Sequence, residues 1–377
     1  MVDRRRIVRQ WRQGGAAVLV TLVHAEGSSY RRAGAHLLIG PDGDHSGTIS
    51  GGCLEAEVVR KAAWMVRGGA LVERYSTLFD DTAEMPFGLG CGGIVDLLFE
   101  PAETPECRAT LEAMEASLSG TEMRVVTWLP EGGRPLARAV FASEGKIIFA
   151  GKSLGAAEIA SVDVTNRTTG MLPGDSRVYL DKLSPPLRLF VLGAGDDAKP
   201  LVTMAALLGW EAIVADGRPQ LARTERFPEA QRVLTTSSAA GLGITPADAV
   251  VIMTHSYEQD RALLTGLLGS NVRPGYIGLL GASHRSSLLL SEAAVALGCS
   301  VADCCERVWA PVGLDIGGGG DGAEAIALAI VAEVQAWVHG RLSVSRRLTQ
   351  ETVAQQIEKG GASRYLQAQC ALDATGS

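Results

Sequence analysis

Leu189-Phe190-Val191-Leu192-Gly193-Ala194-Gly195-Asp196-Asp197-Ala198 is the stretch on which the fold turns. An apolar run of strand character ends in a G-x-G-x-x-A turn, and an apolar-periodic segment opens there and continues to Leu208. Glycine lets the chain turn tightly between strand and helix. The free N–H groups and dipole at the helix start can then accept a pyrophosphate. Asp216 ends the next strand candidate, 21 residues after Gly195, where a carboxylate can accept hydrogen bonds from ribose hydroxyls. Further short strand candidates, Glu211–Val214, Ala249–Met253 and Tyr276–Leu280, are separated mostly by helical patterns. Such alternation predicts βαβ units, hence an α/β domain with a parallel, Rossmann-like sheet. Asp196 and Asp197 put negative charge where a phosphate would approach, unless they serve to cap the helix. The sequence therefore leaves two readings open: an NAD(P) or other nucleotide site, or a sheet that keeps the shape without that ligand.

Three other features of this half can carry chemistry. Gly278–Arg285 reads as strand end, turn and helix start, with Ser283 as N-cap and Arg285 free for a phosphate. Gly313–Gly322 contains four consecutive glycines and is either a mobile loop beside a site or a plain surface loop. Thr254-His255 closes a strand at the edge where parallel sheets place ligands. His255 is a general acid–base candidate or a hydrogen-bonded structural residue. Cys304-Cys305, in an apolar run near Trp309, reads as core packing.

Upstream, Asp181-Lys182-Leu183-Ser184-Pro185-Pro186 reads as a linker, because paired prolines forbid a helix. The expected organisation is an N-terminal α+β domain at 1–180, a linker at 181–186, the Rossmann-like domain at 187–340 and a peripheral tail at 341–377. In the first domain, Glu26–Gly34 is a polar loop whose Arg31 and Arg32 can pair with phosphate or carboxylate. Gly51-Gly52-Cys53-Leu54-Glu55 and Gly88-Leu89-Gly90-Cys91-Gly92-Gly93 each flank a cysteine with glycine. Small neighbours let a ligand approach the sulfur, and Cys53 also opens a helix whose dipole favours a thiolate. The plain alternative is a small residue fitted into a tight turn.

Composition removes other classes. Over 377 residues, 35 Lys+Arg against 42 Asp+Glu leave a net charge of −7, which argues against a sequence-independent grip on nucleic acid. The apolar stretches run about ten residues, against the roughly 20 of a membrane helix. Seven cysteines, odd in number and without C-x-x-C, indicate neither a disulfide framework nor a zinc knuckle, so a cytoplasmic protein with reduced thiols is expected.

Taken together, Glu26–Gly34, Gly47–Glu55, Gly88–Gly93, Val191–Gly195, Asp216–Pro219, Met253–His255, Tyr276–Gly281 and Ala310–Gly317 resemble, in order, the XdhC/CoxI family of maturation factors for molybdenum hydroxylases. The resemblance implies a chaperone rather than an enzyme. Such a protein binds molybdenum cofactor (molybdopterin), holds it while a cysteine desulfurase supports its sulfuration, and inserts it into a xanthine dehydrogenase-like apoenzyme. On that reading Arg31, Arg32, Gly51, Gly52, Glu55, Gly193, Gly195, Asp216, His255 and Arg285 contact the cofactor, and Cys53 and Cys91 approach its molybdenum. Two departures lower positive charge near the phosphate pocket: Asp196 stands where a histidine is frequent, and Ala282-Ser283-His284 replaces Ser-Arg-Arg. The rival classes are an NAD(P)-dependent oxidoreductase and a nucleotide-binding regulator. Short strands with open edges in the N-terminal half suit pairing with a second copy.

Overall fold

The computed structural model describes residues 1–27, 29–76, 93–165, 167–317, 322–341 and 348–360. The chain divides into two compact units, Met1–Pro186 and Leu187–Ser377.

The first unit contains helices α1 (Val2–Arg12), α2 (Cys53–Met65), α3 (Pro105–Leu118) and α4 (Ala156–Ala160). Its two antiparallel sheets have five strands each. One runs β3 (His45–Gly47), β2 (His36–Ile39), β1 (Val18–Gly27), β5 (Gly93–Pro101), β4 (Leu71–Ser76). The other runs β8 (Ile147–Ala150), β7 (Ala137–Ala142), β6 (Met123–Trp128), β10 (Asp175–Leu183), β9 (Gly170–Leu172). Strand β1 reads as a continuous apolar run because both its faces are covered. Leu19 packs with Ile7 of α1 and Leu111 of α3, while Val18, Val20 and Leu22 pack with Leu54 and Val58 of α2. The two sheets are joined by a buried ion pair. Arg138 of β7 reaches Glu100 of β5 through two hydrogen bonds, at 2.6 and 3.0 Å, and also donates to Thr127 Oγ1 and the Glu106 carbonyl.

The expected linker is shorter than its sequence suggests. Asp181, Lys182 and Leu183 belong to β10 and pair with β6, leaving Ser184–Pro186 between the units. Their polarity is that of a partnered strand. Asp181 is buried 3.0 Å from His36, and Lys182 lies 3.1 Å from Glu122.

The second unit has one parallel sheet, in the order β13 (Arg232–Thr235), β12 (Glu211–Asp216), β11 (Arg188–Leu192), β14 (Ala249–Ile252), β15 (Tyr276–Leu279). Helices α5 (Ala198–Leu207) and α9 (Ala323–Val338) cover one face. Helices α6 (Tyr257–Gly269), α7 (Ser283–Leu297), α8 (Val301–Arg307) and α10 (Gln350–Gly360) cover the other. This is the Rossmann arrangement, and its buried strands explain the short all-apolar runs. Cys304 and Cys305 are core residues, as their setting suggested. The tail is not peripheral throughout. Leu348 and Val353 are buried in the core, with Ile357 packed beside them one helical turn on, so α10 docks by an apolar stripe on a polar helix. No single described helix is long and apolar enough to cross a membrane.

Candidate functional site

In the second unit the chain leaves β11 toward β12 on one side and takes up β14 on the other, which makes the crevice beyond their carboxyl ends a switch point. Gly193 turns there with φ +131°, and a Cβ on it would lie 2.3 Å from the Met253 carbonyl oxygen. Only glycine fits. Beside this turn lies a cavity of about 980 Å³, with Met253, Leu280, Val312 and Ile326 as apolar wall and Asp196, Asp197, His255, Asp260 and Arg285 as its ionisable groups.

Four of these groups form two pairs. His255 Nε2 lies 2.7 Å from Asp197 Oδ2, and His255 alone among the described non-glycine residues has a positive φ, +62°. A left-handed histidine is held there against its backbone preference, a feature that gathers at functional sites. Asp260 is buried. Its Oδ1 accepts from Thr254 Oγ1 at 2.6 Å, and its Oδ2 accepts from Arg285 Nη2 at 2.5 Å. The opposite wall is fixed by Glu333, fully buried on α9, whose Oε2 accepts the Gly313 N–H at 2.6 Å and the Tyr276 hydroxyl at 2.8 Å. Gly313, Leu314 and Gly322 line the cavity, so this glycine-rich stretch lies beside the site; 318–321 are outside the described residues.

In the first unit, the loop after β1 meets the start of α2. Arg31 Nε donates to the Thr48 carbonyl at 3.3 Å, and the Tyr30 ring lies 3.8 Å from where a Cβ of Gly51 would stand. Cys53 is the first residue of α2.

Residues 189–334 match the XdhC Rossmann domain, and residues 10–76 match the XdhC and CoxI family. A Bacillus subtilis (strain 168) protein, named as a probable subunit of xanthine dehydrogenase, is 30% identical over 331 residues, 84% of this chain and 92% of that protein. The chain belongs to the XdhC/CoxI family. It is also 25% identical over 323 residues to the Escherichia coli (strain K12) molybdenum cofactor insertion chaperone PaoD, covering 85% of this chain and 83% of PaoD. A crystal structure of a xanthine dehydrogenase from Bacillus halodurans matches with a TM-score of 0.75 at 29% identity, over 90% of this chain and 96% of that one.

Several residues expected to meet a ligand in this XdhC-family chain instead hold one another. Asp216 is buried, and its carboxylate accepts four hydrogen bonds: the Ala194 and Arg218 N–H groups, and Arg218 Nε and Nη2, all at 2.8–2.9 Å. In this structure the carboxylate ties the glycine turn to β12. Burial pushes the Asp216 pKa up, but the Arg218 side chain and the two N–H groups outweigh it and hold the group below the ordinary carboxylate value. Asp196 is drawn to Lys199 and Arg226 and leaves the helix start. Asp197 stands at the N-cap position of α5 yet makes no capping bond, because its oxygen goes to His255. Ser283 is the first residue of α7 rather than its cap, a place taken by Ala282, and Arg285 is committed through one nitrogen to Asp260.

In the XdhC/CoxI segment, too, side chains are engaged within the fold. Glu55 is a capping-box residue: its oxygens accept the Ile49, Ser50 and Gly52 N–H groups and the Ser50 hydroxyl. Burial raises its pKa, and these bonds bring it net below the usual value. Arg31 pairs with Asp3 as well as Thr48, whereas Arg32 is exposed. The structure thus brings Arg31, Gly51, Gly52, Glu55 and the Cys53 backbone into one loop cluster, and Gly193, Gly195, His255 and Arg285 to one sheet edge. Cys91 lies outside the described residues, as does the side chain of Cys53. Among the described residues, no group of three or more His, Cys, Asp or Glu is placed to hold a metal ion.

Sequence reading missed Asp260 and Glu333. Each is a buried carboxylate inside an otherwise ordinary amphipathic helix pattern. An acid on the apolar face of such a helix is the signal that was available.

Proposed function

We propose that this chain is a molybdenum hydroxylase maturation factor: it takes up molybdenum cofactor as cargo, shields it, and passes it to a xanthine dehydrogenase-like apoenzyme. A cysteine desulfurase supplies sulfur to the cargo while it is held. One observation carries the assignment to a site. At the switch point the carboxylate that ends β12, Asp216, is bonded to Ala194 and Arg218, while the adjacent cavity is large, partly apolar and rimmed with paired charges.

The residues present suit a phosphorylated pterin. Asp197 Oδ1 and Ser286 Oγ are buried without a hydrogen-bond partner; the first belongs to the cavity lining, and the second lies 3.6 Å from the Cβ position of Gly281 in that lining. A carboxylate oxygen accepts from the N–H edge of a pterin, and a hydroxyl donates to a phosphate or carbonyl oxygen. Met253, Leu280 and Val312 supply apolar contact for a planar ring. His255, bonded to Asp197, stands at the exposed rim where the cargo would enter. Cys53 and Cys91 are proposed as the thiols that meet molybdenum.

The oxidoreductase alternative rests on the Gly193–Ala198 turn with Asp216, and in this structure that carboxylate bonds to the Ala194 N–H and Arg218. The test is molybdenum and pterin content of the protein purified from cofactor-replete cells. Near-stoichiometric amounts are expected, reduced at least tenfold in Asp197→Ala. Background levels in the wild type, together with tight NAD binding, would overturn the proposal.

A further inference from the structure

Cys299 and Cys304 flank the start of α8, away from the cavity lining, and the proposed function does not use them. Ser300 caps this helix: its Oγ accepts the Asp303 N–H at 3.1 Å, and Asp303 Oδ2 accepts the Ser300 N–H at 3.0 Å. This capping box fixes the backbone around the helix start. It sets the residue before the cap against the fourth helical residue, where a pair of apolar side chains usually packs. Here both positions are cysteine, and their Sγ atoms are 3.7 Å apart. Cys299 is exposed and Cys304 is buried. Next to them, Arg307 Nη2 is buried without a hydrogen-bond partner, and its charge is felt by both sulfurs.

We propose that Cys299 and Cys304 are a thiol–disulfide modification site, oxidised by a small disulfide of the glutathione class. The accessible Cys299 reacts first. Its thiolate attacks one sulfur of glutathione disulfide, breaking that S–S bond and releasing one glutathione thiolate. Cys304 then loses its proton and attacks Cys299 Sγ; the intramolecular S–S bond forms and the second glutathione departs. Two cysteine thiols are oxidised, one glutathione disulfide is reduced to two glutathiones, and the two thiol protons end on them. Arg307 supplies a countercharge for the ionised sulfur. Burial, reinforced by the neighbouring Cys299 and Cys305 sulfurs, pushes Cys304 up to about 12, so the closing step is the slower one. The bond closes the corner from which the chain runs through Trp309 to Val312 in the cavity wall.

The full-length protein is equilibrated anaerobically in glutathione buffers from reducing to oxidising, acid-quenched, alkylated and cleaved with trypsin. The peptide Ser286–Arg307 carries Cys299, Cys304 and Cys305 together. Expected is a loss of two hydrogens with a single alkyl group, on Cys305, and complete loss of this species in Cys299→Ser. The proposal fails if all three thiols stay alkylatable in the most oxidising buffer, or if Cys299 stops at the glutathione adduct. It fails equally if the disulfide joins Cys304 to Cys305 and survives in Cys299→Ser.

Discussion

Replacing Asp216 with asparagine separates a structural tie from a ribose-binding group. The wild-type carboxylate accepts two N–H groups and two guanidinium nitrogens. Asparagine keeps one acceptor oxygen and turns an NH2 toward donors that it cannot satisfy. Two hydrogen bonds to a charged acceptor are lost, each worth about 1.5–3 kcal/mol, and one of them is to a guanidinium that solvent partly re-satisfies. The net cost is about 2–3 kcal/mol. The second unit runs from 187 to 377, and for a domain of that size such a loss lowers the melting midpoint by about 4–12 °C. The pH dependence follows from the depressed pKa. The stabilisation is complete above the unfolded-state pKa of about 3.9 and is lost as pH falls through the lower folded value. Asparagine has no such term, so the difference between the two proteins is widest near neutrality and shrinks below about pH 4. Thermal or urea unfolding across this range, followed by near-UV circular dichroism, measures it. An unchanged midpoint at pH 7 refutes the tie. So does a wild type that binds NAD tightly and loses that binding, but no stability, in Asp216→Asn.

Three further outcomes are expected. Glu100→Ala leaves the fully buried Arg138 without its counter-ion and costs about 3–5 kcal/mol, whereas Glu100→Leu with Arg138→Met recovers most of that loss; urea unfolding of both proteins checks it. Gly193→Ala must place a Cβ 2.3 Å from the Met253 carbonyl at a φ that alanine avoids, so it loses more than about 2 kcal/mol, seen as a lowered midpoint or failed expression. Cys53→Ala and Cys91→Ala each reduce bound molybdenum at least tenfold in protein from cofactor-replete cells, with an unchanged circular dichroism spectrum; full retention and target activation would remove both thiols from the cargo site.

How far the sequence could be read depended on how local each determinant was. The Gly193 turn, its flanking strands and the start of α2 at Cys53 are written in contiguous residues, and they stand where the pattern placed them. Strand β13 was not legible. Arg232-Val233-Leu234-Thr235 is a short, half-exposed edge strand with no apolar run to announce it. The same holds for β10 at Asp181–Leu183, whose polar residues are satisfied by partners far along the chain. At the site, the pairs that matter are long-range: Asp260 with Arg285 across 25 residues, and Glu333 with Tyr276 across 57. Asp216 shows a different limit. Its position at the end of β12 is legible, but the spacing is shared by sheets that bind ribose and by sheets that do not. What decides its role is Arg218, two residues on, folding back onto it.

The charges around the cavity bear on how an acidic rim would suit the anionic cargo proposed for it. Asp196 is countered by Lys199 and Arg226, Asp197 by His255, Asp216 by Arg218, and Asp260 by Arg285. A carboxylate already paired contributes mainly a dipole, whose field falls off faster than that of a lone charge. Repulsion of a phosphate is thus much weaker than a count of acids suggests, while Asp197 Oδ1, buried without a hydrogen-bond partner, can still accept an N–H from a heterocycle.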